Sequence, residues 1–205
     1  MLDNCVLELP QIPYDRVALR NYYEETKQSL EECPYEEAWT GTMRRWKVDQ
    51  SAPVIAEIKS KYAPEITETC KIIMFEQQSG FSFYPHIDYG RTLSLMYPIY
   101  PEDGGVATTF YNPDIITEED WANQRHYLGR RSRMVDVQYI KYEHDDEDVI
   151  YEHYYSTEYP TICNIQTAHG VVNNQDMTRT YMQICLYDHT LDQVKQLIQE
   201  GNFFA

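Results

Sequence analysis

The sequence predicts a mainly β protein, a barrel or two-sheet jelly roll, with helices at both ends. Three observations lead there. From about residue 70 to residue 188, short apolar or alternating runs follow one another with turn residues between them. Helical spacing is confined to the stretches before and after that region. The 205 residues, 42% apolar, suffice for one substantial core and give no reason for a second, and 19 tyrosines against 6 phenylalanines suit half-buried strand faces and pocket walls. The chain therefore reads as a single domain: 1–69 a helical N-terminal support, 70–188 the strand core, and 189–205 a C-terminal helix.

Residues 14–33 form the first expected helix, with Asp15 as cap and Pro34 as stop. Residues 53–62 form the second: Ser51 can cap, Pro53 suits a first turn, and Val54, Ile55, Ile58 and Tyr62 share a face. The strands follow at 71–76, 81–84 (ended by Pro85), 92–97, 106–111, 133–142, 149–155, 161–166 and 178–187. In 92–97, Leu93, Leu95 and Tyr97 fall on one side, and Thr92, Ser94 and Met96 on the other. In 178–187 a polar face of Arg179, Tyr181, Gln183 and Cys185 opposes an apolar one of Thr180, Met182, Ile184 and Leu186, which suits a strand lining a polar cavity. The stretch 112–132, which contains Trp121, interrupts the strands and reads either as a lid or substrate wall or as a surface elaboration. The last helix, about 191–200, opens on a Thr190/Gln193 capping box and ends at Gly201.

The formal charge of −16 repels phosphate backbones and anionic membranes, so nucleic-acid binding is disfavoured. No apolar run is long enough to span a bilayer, and the N-terminus lacks the basic start and apolar stretch of a signal peptide. Cys5, Cys33, Cys70, Cys163 and Cys185 are scattered and form no C-x-x-C pair, which points to reduced thiols in the cytoplasm. The acidic run 143–148, which includes His144, reads as a solvated hairpin tip or as a weak cation-binding site, and Arg130, Arg131 and Arg133 read as a balance to surface acids or as a hold on an acidic substrate near the lid.

His86-Ile87-Asp88, the distant His169, and Arg179 ten residues further on (179 − 169) carry the chemistry. Two imidazoles and one carboxylate can occupy one face of a six-coordinate Fe(II) and leave three positions open. His86 and Asp88, two apart at a strand's mouth, point to one side. Small neighbours around His169 let backbone approach a metal. An arginine facing into a barrel needs an anion, and a bound dicarboxylate or a buried Asp or Glu would serve; the sequence leaves both open.

These residues resemble the Fe(II)/2-oxoglutarate-dependent oxygenases, and most closely the prolyl-hydroxylase-like branch and phage-type relatives. Phe83 to Tyr97 looks like that family's ligand triplet and next core strand. Gly104-Gly105 with Thr108, Thr109 and Phe110 looks like the loop and strand after it, and His169 to Arg179 like the distal ligand and co-substrate arginine. The likeness covers roughly 70–188. It implies a double-stranded β-helix (jelly roll) core in which His86, Asp88 and His169 bind Fe(II) and Arg179 binds the distal carboxylate of 2-oxoglutarate. Tyr181 stands where many members have serine or threonine and is expected to donate from its phenol. Thr92, Ser94 and Tyr97 are further co-substrate candidates, and Arg91 and Trp121 candidate substrate contacts. The implied activity is a dioxygenase that uses O2 and 2-oxoglutarate to hydroxylate a C–H of an amino acid, a peptidyl residue or another small molecule, with release of succinate and CO2. A non-catalytic metal-binding jelly roll and a cupin-like metalloenzyme without 2-oxoglutarate remain as alternatives.

Overall fold

A computed structural model describes residues 4–29, 31–32, 39–88, 91–102, 105–112 and 148–205. The strand expected at 133–142, the stretch 113–132 with Trp121, and the acidic run up to residue 147 lie outside the described residues.

Two antiparallel sheets face one another. The core strands are β5 (Lys71–Gln77), β6 (Ser82–His86), β7 (Leu93–Tyr100), β8 (Thr108–Tyr111), β9 (Val149–His153), β10 (Thr161–Asn164), β11 (His169–Val172) and β12 (Arg179–Leu186). Shorter N-terminal strands join them: β1 (Val6–Glu8), β2 (Glu31–Glu32), β3 (Trp39–Thr40) and β4 (Met43–Lys47). One sheet runs β1-β10-β7-β12-β5-β4-β2 and the other β3-β6-β11-β8-β9. Core strands that cross between sheets in this order make a jelly roll, the double-stranded β-helix.

The alternation expected in β7 and β12 holds. Leu93, Leu95 and Tyr97 join Met182, Ile184 and Leu186 in the larger apolar core beneath the helices. Ser94, Met96, Arg179, Tyr181 and Gln183 line a cavity between the sheets. That core is closed by α1 (Arg16–Thr26), α2 (Pro53–Lys59), α3 (Pro64–Thr67) and α4 (Leu191–Gln199). Ile55 and Ile58, both fully buried, contribute about 1.5–3 kcal/mol each by leaving water.

Helix starts and ends follow local chemistry. Asp15 caps α1 by accepting from the Ala18 N–H at 2.9 Å. The helix stops at Thr26, short of Pro34, and a 3-10 turn at Lys27–Ser29 follows. Ser51 does not cap α2: its N–H and hydroxyl both bond Asp49, and Ala52 takes the cap position without a side-chain bond. The Thr190/Gln193 capping box of α4 forms as expected, and Gly201 ends it at φ 75°.

The first 69 residues are less helical than their sequence suggests. β4 pairs with β5 along its length and extends the larger sheet. Its residues, Met-Arg-Arg-Trp-Lys, show little alternation because one face covers the cavity through Met43 while the other carries Arg44 to a partner. That partner is Glu76 of β5, buried beneath α1, where Arg44 Nε lies 2.7 Å from one carboxylate oxygen and the Tyr23 hydroxyl donates to the other at 2.6 Å. A buried charge is tolerated only when it is paired and hydrogen-bonded in this way.

Pro85 does not end β6; the strand continues to His86. β6 pairs with β11 as His169↔His86 and Val171↔Phe83, with an irregularity between His169 and Val171. A bulge needs no ladder bond from the residue opposite, so proline, which has no N–H, fits there. Gly170 occupies the same spot because a Cβ on it would lie 2.9 Å from the Phe83 carbonyl oxygen and 3.3 Å from the Pro85 nitrogen. Gly170→Ala is therefore expected to destabilise the protein by about 1–3 kcal/mol, the usual cost of overpacking, as read by urea denaturation. An unchanged midpoint would show that β6 and β11 are not pressed together there.

Candidate metal centre

The close pairing of β6 with β11 brings His86 opposite His169, and their ring centroids are 4.3 Å apart. Asp88 lies just beyond β6, tethered by its N–H to the Ile165 carbonyl at 3.1 Å. One ligand atom from each of His86, Asp88 and His169 falls within 4.8 Å of the others, and all three side chains are buried. β11 was not expected as a strand, although its His169 was singled out.

The three groups have the ligand atoms and spacing that could hold a metal ion. The His169 Nδ1–H donates to the Thr167 carbonyl at 2.9 Å, which leaves Nε2 as the lone-pair nitrogen. His86 Nε2 lies 3.7 Å from Asp88 Oδ1. That oxygen is buried and has no hydrogen-bond partner among the described residues, although its residue is only 1% exposed. A bare buried carboxylate oxygen between two imidazoles is costly unless a cation completes it. Two neutral nitrogens and one oxygen suit a divalent first-row metal with open positions.

Burial pushes His169 below the ordinary imidazole range, against a smaller pull from Asp88. His153, whose Nε2 is buried without a partner among the described residues, is pushed down by burial too. Both therefore take up a proton less readily in the folded chain than when unfolded, where imidazoles protonate near pH 6.5. With the folded values depressed, the unfolded state binds protons first as pH falls. The metal-free protein is thus expected to keep its full stability from this source above about pH 6.5 and to lose it progressively below. Urea midpoints between pH 5.5 and 7.5 check this; a midpoint that rises on acidification contradicts it.

These residues line one cavity between the two sheets. Arg179 lies on the same cavity wall and is 4% exposed. Its Nη1 donates to the Gln77 side-chain oxygen at 3.1 Å, and its guanidinium sits 4.7 Å from the Tyr181 ring centroid and 5.4 Å from that of Tyr155. No Asp or Glu among the described residues forms an ion pair with it. Of the two partners left open by the sequence, the buried protein carboxylate is therefore missing among those residues.

The remaining candidates divide. Ser94 lines the cavity, its hydroxyl bonded to Gln183 Nε2. Tyr181 lines it as well, but its ring is stacked between Arg179 and Phe75, whose centroid is 5.2 Å away. Thr92 and Tyr97 do not line the cavity. The Thr92 hydroxyl donates to the His189 carbonyl at 2.6 Å, where the chain leaves β12 for α4. Tyr97 faces the helical core and bonds the Tyr62 hydroxyl, as the alternation of β7 requires. Arg91 lines the cavity, with its guanidinium turned onto Asp88 and Cys185 in place of the expected substrate contact.

Gln77, Thr108, Tyr155 and Cys163 were not anticipated. The Tyr155 hydroxyl lies 2.6 Å from that of Thr108 and 3.1 Å from the Cys163 sulfur, forming a buried polar cluster beside Arg179. Gln77 could have been found by extending the alternation of β5 by one residue. Tyr155 follows β9, and no local pattern marks it.

No protein-family model matches the sequence, and no curated protein matches it. Similarity appears in structure. A prolyl-4-hydroxylase from Pseudomonas putida aligns with a TM-score of 0.54 at 11% identity, over 91% of this chain and 94% of its own. The epimerase SnoN, solved with Fe3+, alpha-ketoglutarate and nogalamycin RO, aligns with a TM-score of 0.52 at 13% identity, over 90% of this chain and 79% of its own. At such identities the likeness is one of fold.

Proposed function

We propose that this chain is an Fe(II)- and 2-oxoglutarate-dependent dioxygenase that hydroxylates a C–H bond of an amino acid, a peptidyl residue or another small molecule. The observation that carries the reading is the presence, in one cavity, of a His86–Asp88–His169 cluster and a buried arginine, where among the described residues one Asp88 oxygen has no hydrogen-bond partner and the arginine has no carboxylate partner. A dicarboxylate that reaches from the cluster toward Arg179 meets the needs of both at once. The fold shared with a prolyl-4-hydroxylase and with SnoN, a protein solved with iron and alpha-ketoglutarate, supports it.

His86, Asp88 and His169 would hold Fe(II) by three positions and leave three for co-substrate and dioxygen. Bound iron and 2-oxoglutarate supply the oxidising chemistry: one oxygen atom of O2 goes into succinate, with loss of CO2, and the other into the substrate C–H. The remaining work belongs to the chain. Arg179 grips the distal carboxylate, and its charge is held in place by the Tyr181 and Tyr155 rings and by Gln77. The Thr108–Tyr155–Cys163 chain has one proton left to donate on the same wall, a role that a serine or threonine at position 181 would otherwise fill. The apolar walls, Phe75, Phe83, Met96, Ile165 and Val171, exclude water from the reacting centre.

A closed structural metal site has four ligands, and the described cluster has three. Four free, buried thiols support a reducing compartment such as the cytoplasm. No helix among the described residues is long and apolar enough to cross a membrane. The test is succinate production. Protein reconstituted anaerobically with Fe(II) is given 2-oxoglutarate and air, with and without panels of amino acids and peptides. Succinate that depends on both Fe(II) and 2-oxoglutarate is expected; none with any candidate would contradict the reading.

A further inference from the structure

Asp88 has two carboxylate oxygens in opposite situations. Oδ1 is bare and faces the two imidazoles, while Oδ2 is engaged by Arg91, with Nε at 2.8 Å and Nη2 at 2.5 Å. Arg91 is 8% exposed and is itself anchored. Its Nη1 donates to the Cys185 sulfur on β12 at 3.2 Å. One side-chain amide, Gln166 Nε2, donates to the backbone carbonyls of both Asp88 and Arg91, at 2.8 and 2.7 Å. Acid and arginine are thus tied to each other through side chains and through backbone.

We propose that Arg91 is the positioning residue for the carboxylate ligand: by converging two N–H groups on Oδ2, it leaves Oδ1 alone to meet the metal. A carboxylate free to turn can chelate with both oxygens and consume a coordination position that a co-substrate or dioxygen requires. Arg91 prevents this, because its rigid planar fork fixes the rotation of the carboxylate, Cys185 holds the fork, and Gln166 holds the backbone that carries both residues. The same contact offsets the charge of a buried acid. Lysine would keep the charge but not the fork. The inference rests on reading His86, Asp88 and His169 as metal ligands.

The experiment uses Co(II) as probe, without turnover. Metal-free wild-type, Arg91→Gln and Arg91→Lys proteins are titrated with Co(II), and visible absorption gives both affinity and ligand geometry. Circular dichroism confirms that each variant is folded. Arg91→Gln is expected to bind Co(II) about 10–100-fold more weakly than wild type and with an altered spectrum. Arg91→Lys should recover part of the affinity but not the wild-type spectrum. Wild-type affinity and spectrum in Arg91→Gln would overturn the proposal. Should that variant not fold, the same result in Arg91→Lys would overturn it. Failure of the wild-type protein to bind Co(II) is a separate outcome: it defeats the metal-site reading itself and the role of Arg91 with it.

Discussion

Asp88→Ala is expected to abolish succinate formation and to weaken Fe(II) binding by more than the roughly 10–100-fold that follows loss of a partner outside the ligand set. The substitution removes the one anionic ligand and leaves two neutral imidazoles to hold a dication. It also removes the carboxylate that the buried Arg91 guanidinium grips. Some loss of stability should follow for that reason. Asp88→Asn separates the two effects. Its amide keeps the shape of the carboxylate and an oxygen for Arg91 but offers the metal no charge, so it should remain folded and still be inactive. Turnover in either variant near the wild-type rate would remove Asp88 from the metal site.

Arg179→Ala has a different signature. Truncating one partner of a buried, hydrogen-bonded charge pair typically costs about 2–5 kcal/mol, or about 30-fold to several thousand-fold in affinity. The 2-oxoglutarate dissociation constant should rise by an amount in that range, while Fe(II) affinity without co-substrate stays close to wild type. The metal-free protein should not become less stable in the way that a broken ion pair would make it. Arg179 contacts Gln77 and two aromatic rings, with no protein carboxylate among the described residues to be left uncompensated. Relief of a desolvated charge should leave the melting temperature unchanged or slightly higher. Unchanged 2-oxoglutarate affinity, or a collapse in stability with no effect on affinity, would assign Arg179 a structural role instead.

Much of this arrangement was legible in the chain because strand alternation is a short-range signal. The two faces of β7 and β12 follow from residues two apart, and so does the common direction of His86 and Asp88. The same rule already argued against Tyr97 as a co-substrate contact, since it shares a face with Leu93 and Leu95. The hidden parts depend on register between distant segments. β4 shows little alternation because Arg44 is drawn outward to a buried acid on the neighbouring strand. Pro85 looks like a strand end until Gly170, far along the chain, is found pressed against the Phe83 carbonyl. Arg91 reads as a basic side chain near a site mouth, and only folding reveals Asp88 and Cys185 as its partners. Tyr155 reaches Arg179 through the pairing of sheets and not through any motif.

In the proposed function, one metal ion and one keto acid share the cavity between His86, Asp88, His169 and Arg179. Anaerobic titration of the metal-free protein with Fe(II) and then with 2-oxoglutarate, followed by visible absorption, tests it most directly. One Fe(II) per chain is expected, with a new charge-transfer band that appears only when 2-oxoglutarate is added. That band should be absent in Asp88→Ala and should require far more 2-oxoglutarate in Arg179→Ala. Saturating Fe(II) with no band at any 2-oxoglutarate concentration, or no Fe(II) binding at all, would contradict it.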